Sequence, residues 1–210
     1  EYEYDETGKC SEKHFYGMDK KPILRKDTGY AAVKFKYDEF GQMTDSRYYG
    51  TEGKPVLSTK YHCAGYEYAF DENGNQTDTW YIGLDGNPMV RRDLGYAHIK
   101  SKYDGLGNEI LVKYFDEEEQ PVVHKERGYA CEEKEFEKGK LTEACYYDAQ
   151  NELVLRKDKG YAIVRYEYDE YGQTISEHYY DIEDEPVIST EYHCAGFKYK
   201  YDGKGNRTDI

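Results

Sequence analysis

The chain has 210 residues, 26 of them tyrosine, and a formal net charge of −14. Hydrophobic residues make up only 38% of it, so tyrosine must carry much of the burial, ring inside and hydroxyl near water. With no run of Lys or Arg, this charge argues against a nucleic-acid binder or an anionic-membrane binder, and no stretch approaches the ~18 apolar residues of a membrane span.

The elements follow in chain order, read from Ala31 onward. Ala31, Val33, Phe35 and Tyr37 alternate with Ala32, Lys34 and Lys36, a period of two that predicts a half-buried strand. Tyr37-Asp38 then leads to Gly41: Asp favours the start of a turn and Gly supplies a positive φ. A second strand follows, with Thr44, Ser46 and Tyr48 on one face and Met43, Asp45, Arg47 and Tyr49 on the other. A second turn comes next, with tip residues Gly53, Gly86, Asn151 and Asp184 in successive versions, all types that tolerate left-handed geometry. A short third strand is predicted at Val56-Leu57, Val122-Val123 and Val154-Leu155.

This set recurs. Pro22, Pro55, Pro88, Pro121, Leu153 and Pro186 stand 33, 33, 33, 32 and 33 residues apart. The aromatic before an acid (Tyr37, Phe70, Tyr103, Phe136, Tyr168) and the alanine at Ala31, Ala64, Ala97, Ala130, Ala162 and Ala195 keep the same step. The chain is therefore about six repeats, at 4–36, 37–69, 70–102, 103–135, 136–167 and 168–200, with a partial one at 201–210. A longer period lies on top: Tyr61–Gly65 and Tyr192–Gly196 both read YHCAG, 131 residues apart, as a duplicated block of four repeats would give. No helical period is sustained and the turns are short. The predicted fold is all-β, an elongated, solenoid-like array of antiparallel β-hairpins forming a single repeat domain whose stability accrues by stacking. The first residues, Glu1–Asp5, stand mid-pattern, so the expectation is a segment of a longer array with flanking domains.

The phrases YDEFGQMT (Tyr37–Thr44), FDENGNQT (Phe70–Thr77), YDGLGNEI (Tyr103–Ile110), YDEYGQTI (Tyr168–Ile175) and YDGKGNRT (Tyr201–Thr208) resemble the YD repeats of Rhs-type bacterial surface and toxin proteins. Here each repeat is lengthened by a Pro-Val and Gly-Tyr-Ala segment. The resemblance implies β-hairpins in a spiralling sheet. It also implies a role in adhesion, carbohydrate contact or enclosing another polypeptide.

Chemistry is sparse. Five cysteines (Cys10, Cys63, Cys131, Cys145, Cys194) are odd in number and show no CxxC spacing, so free thiols are expected, with no disulfide framework and no zinc site. His62-Cys63 and His193-Cys194 point to opposite faces if they lie in strands. DENGN (Asp71–Asn75) has oxygen ligands but lacks the spacing of a calcium loop. Repeats of constant length carry no inserted loop for a unique active site, so the expectation is a non-enzymatic chain with no catalytic residue, metal or cofactor. The aromatic pairs offer the candidate ligand site: Tyr48, Tyr49, Trp80, Tyr81, Tyr114, Tyr146, Tyr147, Tyr179 and Tyr180. One ring of each pair packs inward, and outward rings in register make a ladder for a glycan or an extended peptide. The alternatives are a scaffold, spacer or shell segment that presents or wraps other domains, and, third, an enzyme. A bacterial cell-surface or secreted location is expected, and free thiols also suit a cytoplasm.

Overall fold

The computed structural model describes residues 1–210 and contains strands, turns and bends but no helix. The chain forms two compact parts, Glu1–Ile99 with Asp116–Glu119, and Lys100–Phe115 with Gln120–Ile210. In the N-terminal part β1 (Tyr2–Tyr4), β2 (Cys10–His14), β3 (Ala32–Tyr37), β4 (Met43–Tyr49), β5 (Gly65–Phe70) and β6 (Gln76–Ile82) pair antiparallel, each with the next. The strand β7 (His98–Tyr103) spans the division. In the C-terminal part β8 (Glu109–Phe115), β9 (Cys131–Glu137), β10 (Lys140–Tyr147), β11 (Ile163–Tyr168), β12 (Thr174–Tyr180) and β13 (Gly196–Lys198) follow the same rule, and β14 (Lys200–Tyr201) pairs with β15 (Arg207–Asp209).

Register follows the alternation in the sequence. Val33 lies opposite Tyr48 and Phe35 opposite Ser46, which sets one face. Ala32 opposite Tyr49, Lys34 opposite Arg47 and Lys36 opposite Asp45 set the other. The first face carries rings and aliphatics. The second carries charges.

Each Y-D-x-x-G turn is closed by its aspartate. Asp38 accepts the Gln42 amide on its side chain at 2.8 Å, while the Gly41 amide donates to its carbonyl at 3.1 Å. Asp71, Asp104, Asp169 and Asp202 each accept two backbone amides in the same way. At the tip of the second turn Gly53, Gly86, Asn151 and Asp184 have φ of 72°, 87°, 66° and 65°, as expected; Lys20 and Glu119 hold the same conformation, both at 60°.

The predicted third strand is reduced to a single bridge. Tyr49 pairs with Pro55, Phe115 with Pro121 and Tyr147 with Leu153, and the chain then leaves the sheet. Proline has no amide to continue a ladder, and the residues beyond it are needed elsewhere. They form loops that stack on one another. The Thr59 amide donates to the Thr28 carbonyl at 3.0 Å, the Lys157 amide to Arg127 at 2.8 Å and the Thr190 amide to Lys159 at 2.9 Å. The stack is tight. A Cβ on Gly29, whose φ is 77°, would stand 2.7 Å from the Thr59 side chain. His62 and His193 occupy the equivalent left-handed position, at φ of 56° and 57°. The recurring alanines Ala31, Ala64, Ala97, Ala130 and Ala162 are buried where the loops rejoin the sheet, and Ala195 is half-buried: the Ala64 amide donates to the Ile82 carbonyl and its carbonyl accepts from the Tyr48 amide.

Candidate functional site

The nine aromatic residues divide by face. Tyr48, Tyr81, Tyr114, Tyr146 and Tyr179 are buried, between 0% and 6% exposed. They lie among the loop tyrosines in unbroken ring-to-ring contact. In the N-terminal part Tyr30 stacks on Tyr48 at 4.6 Å, Tyr48 packs against Tyr61 and Tyr66, and Tyr66 against Tyr81, which meets Tyr96 at 5.6 Å. In the C-terminal part the run is Tyr114, Tyr129, Tyr146, Tyr161, Tyr179 and Tyr192, with centroids 4.6 to 6.1 Å apart. Each such pair contributes roughly 0.5–1.5 kcal/mol beyond area burial. Burial pushes the phenols up: Tyr68 and Tyr161 to about 12, and Tyr48, Tyr66, Tyr129, Tyr146 and Tyr179 further. These rings are core, sealed beneath the stacked loops, and no ligand reaches the inward five.

Tyr49, Trp80, Tyr147 and Tyr180 are half-buried on the charged face. They do not stand as bare platforms. Lys34 lies over the Tyr49 ring at 5.6 Å, and the Arg165 guanidinium over Tyr180 at 4.6 Å. Those cations are themselves bonded to carboxylates, Lys34 to Glu12 at 2.7 Å and Arg165 to Glu143 and Asp184 at 2.5 and 2.6 Å. Tyr147 is flanked by the Cys145 thiol.

Above the rings the loops alternate, a pattern with a period of two repeats that the sequence reading missed. In odd repeats the loop carries Arg-x-Asp. Arg25 pairs with Asp27, Arg91 with Asp93 and Arg156 with Asp158, at 2.5, 2.5 and 2.7 Å. Their guanidinium planes lie 4.8, 4.8 and 4.6 Å from the rings of Phe15, Tyr81 and Tyr146. In even repeats Ser58, His124 and Ser189 fill that position and are buried. Ser58 donates to the Thr28 carbonyl at 2.7 Å and Ser189 to Lys159 at 2.9 Å, while His124 Nδ1 takes the Glu126 and Arg127 amides. The even loops also supply the Tyr61 and Tyr192 rings. The signal was present in the sequence as Arg-x-Asp at 25, 91 and 156.

Three groupings have the residue types of chemical sites. His98 is 1% exposed and stacks under Trp80 at 4.5 Å, with Nε2 2.8 Å from Asp78 and Nδ1 3.0 Å from Glu119. With both ring nitrogens taken by carboxylates, neither is left to activate a nucleophile. Glu3, Glu12 and His14 bring their ligand atoms within 4.8 Å of one another, but Glu12 is already bonded to Lys34, and the group continues the row of ion pairs that Asp45 and Arg47 form in the next repeat. All five cysteines are free thiols; burial raises Cys131 to about 11 and Cys145 to about 12, and also raises Cys63, which favours the protonated thiol at these three. His62 is exposed beside a fully buried Cys63 and shares no site with it.

A groove of 780 Å³ is lined by Asp169, Tyr171, Tyr199, Tyr201, Asp202 and Lys204, between two successive Y-D-x-x-G turns. Tyr171, 79% exposed, was not among the expected ligand residues because it lies inside a turn phrase. No helix is long and apolar enough to cross a membrane.

No family model matches this chain, and no curated protein does. Among solved structures it is similar to the crystal structure of TcdB2-TccC3-TEV, with a TM-score of 0.43 and 14% identity over 99% of this chain and 10% of that one. It is also matched to the crystal structure of TcdB2-TccC3 without its hypervariable C-terminal region, with a TM-score of 0.22 and 11% identity over 100% of this chain and 14% of that one. The chain thus spans about a tenth of the length of the first of these and a seventh of the second. Both scores lie below the level at which a shared fold follows from similarity.

Proposed function

We propose that this chain is a non-catalytic structural segment, a repeat scaffold that holds or encloses other polypeptide. One observation carries the reading: five of the nine candidate rings are the core itself, and the outward rings Tyr49 and Tyr180 are covered by cations already held in ion pairs. Tyr48, Tyr81, Tyr114, Tyr146 and Tyr179 lie beneath loops that are hydrogen-bonded to one another, so withdrawing a ring for a ligand means opening the fold. The paired His98 and the protonated thiols support the non-catalytic part of the reading.

A second reading keeps glycan contact but moves it to the groove of Tyr171 and Tyr199, where an exposed ring stands beside acids and a lysine. A thermal-shift screen against polysaccharides and peptidoglycan fragments separates the two. A ligand at 100 times its dissociation constant adds about 2.7 kcal/mol. The scaffold reading predicts no shift with any glycan. A shift that disappears in Tyr171→Ala favours the groove, and one that persists in Tyr171→Ala but disappears in Tyr49→Ala returns the ladder.

A further inference from the structure

Beyond the scaffold reading, and independent of it, one surface feature recurs in every repeat. Two residues after each proline-position bridge, every repeat places an aliphatic side chain: Leu24, Leu57, Val90, Val123, Leu155 and Ile188. Five of the six are exposed, at 51%, 43%, 40%, 44% and 66%, and Val90 is half-buried. Recurrence at one slot makes Leu24, Leu57 and Val90 a row within the N-terminal part, and Val123, Leu155 and Ile188 another within the C-terminal part, rather than scattered surface residues.

The surroundings of the row in the N-terminal part run against the charge of the chain. Across residues 19–28, 52–61 and 85–94 stand Lys20, Lys21, Arg25, Lys26, Lys54, Lys60, Arg91 and Arg92, against Asp19, Asp27, Glu52, Asp85 and Asp93. The balance is positive there, while the whole chain is at −14. Lys26, Lys60 and Arg92 are exposed and follow Leu24, Leu57 and Val90 within three residues. The spacing selects a shape. Each repeat advances the sheet by two strands, about 10 Å at ~4.8 Å per strand. An α-helix places residues i and i+7 about 10.5 Å apart. An extended strand, at ~6.8 Å between residues on one side, does not match. Sheet twist rotates successive repeats, so a straight helix stays in register over about three.

We propose that Leu24, Leu57 and Val90 form a docking row for an acidic amphipathic α-helix of a partner polypeptide, one aliphatic residue per heptad of the helix meeting one per repeat of this chain. Lys26, Lys60 and Arg92 meet the acidic flanks of the helix.

The test uses the full 210-residue chain and a fluorescein-labelled three-heptad helical peptide, with Leu at one position per heptad and Glu at the flanking positions. Fluorescence anisotropy is expected to show saturable binding that weakens with salt. It is also expected to fall about tenfold in Leu57→Glu and to be lost in the Leu24→Glu/Leu57→Glu pair. These side chains are exposed, so the melting temperature of each variant should match the parent, which separates lost docking from lost fold. A peptide of the same composition with scrambled leucines is expected to bind at least tenfold more weakly. Equal binding of the scrambled peptide, equal binding by the variants, or no binding of either peptide overturns the proposal. So does saturable binding to phosphatidylserine vesicles with none to the peptide, which would make the row a lipid contact.

Discussion

The alternation of loops predicts that an even loop and an odd loop are not interchangeable, although both close the same repeat. Consider replacing the even loop Ser189–His193 with the odd loop sequence at 156–160, that is Ser189→Arg, Thr190→Lys, Glu191→Asp, Tyr192→Lys and His193→Gly. The graft removes the Ser189 hydroxyl bond to the Lys159 carbonyl (2.9 Å), worth about 1 kcal/mol. It removes the Tyr192 ring from Tyr179 (5.7 Å) and from Phe197 (5.8 Å), each about 0.5–1.5 kcal/mol. It forces a guanidinium into a position that is 0% exposed, at an overpacking cost of roughly 1–3 kcal/mol. The sum is about 3–7 kcal/mol before relaxation. The control is Glu191→Lys, which turns the loop into its even counterpart at Ser58–His62. It disturbs only the Lys159–Glu191 pair at 3.4 Å, a partly exposed contact worth about 1 kcal/mol or less. Urea unfolding followed by circular dichroism reads both. The graft should lower the midpoint by several times the shift of the control. A graft as stable as the parent would refute the pairing of odd with even loops.

Other expectations follow from single residues. Tyr179→Phe loses only the hydroxyl bond to Glu177 (2.8 Å) and should cost about 1 kcal/mol, whereas Tyr179→Ala, a cavity at a residue 0% exposed, should cost about 3–5 kcal/mol by urea denaturation. Burial, and then the Arg127 charge, hold the His124 imidazole below its usual value, so its contribution is present above about pH 6.5 and is lost as pH falls through the lowered value. His124→Ser, the residue of the sister loops, should therefore flatten the stability profile as pH falls below about 6.5; an unchanged slope would show that His124 is not the titrating group. Iodoacetamide at pH 8 should leave Cys63, Cys131 and Cys145 unmodified in the native chain and label all five cysteines after denaturation, as read by mass spectrometry.

What the sequence disclosed was the part governed by local chemistry. Asp38 and Gly41 mark a turn because an aspartate caps backbone amides and a glycine accepts positive φ, and those requirements act over a few residues. The alternation of Val33, Phe35 and Tyr37 with Lys34 and Lys36 likewise reports which side faces the core. The third strand was misread at Val56-Leu57 because β-branched and aliphatic residues there suggest pairing, while the loop that leaves the sheet is stabilised by the neighbouring repeat, through contacts such as Ser58 to Thr28. The same loop layer hid the fate of the tyrosine pairs. Nothing in Tyr48-Tyr49 tells that a ring from residue 61 will cover the first. The His98 cluster was illegible for a related reason, since its partners come from positions 20 and 21 residues away in opposite directions along the chain.

The claim that tyrosine rings form the core is tested most directly by titrating the phenols themselves. Absorbance at 295 nm follows ionisation of the 26 tyrosines while far-ultraviolet circular dichroism follows the sheet. The buried phenols have raised values in the fold, so they stabilise it below about pH 10, and that contribution is lost as pH climbs beyond it. The account predicts two waves: an early one near the ordinary tyrosine value of about 10 that leaves the sheet signal intact, and a later one in which buried rings such as Tyr48, Tyr146 and Tyr179 ionise only together with collapse of the sheet signal. A single wave near pH 10 that includes all the tyrosines and leaves the sheet intact would contradict it, because the rings would then lie open to solvent and to ligands.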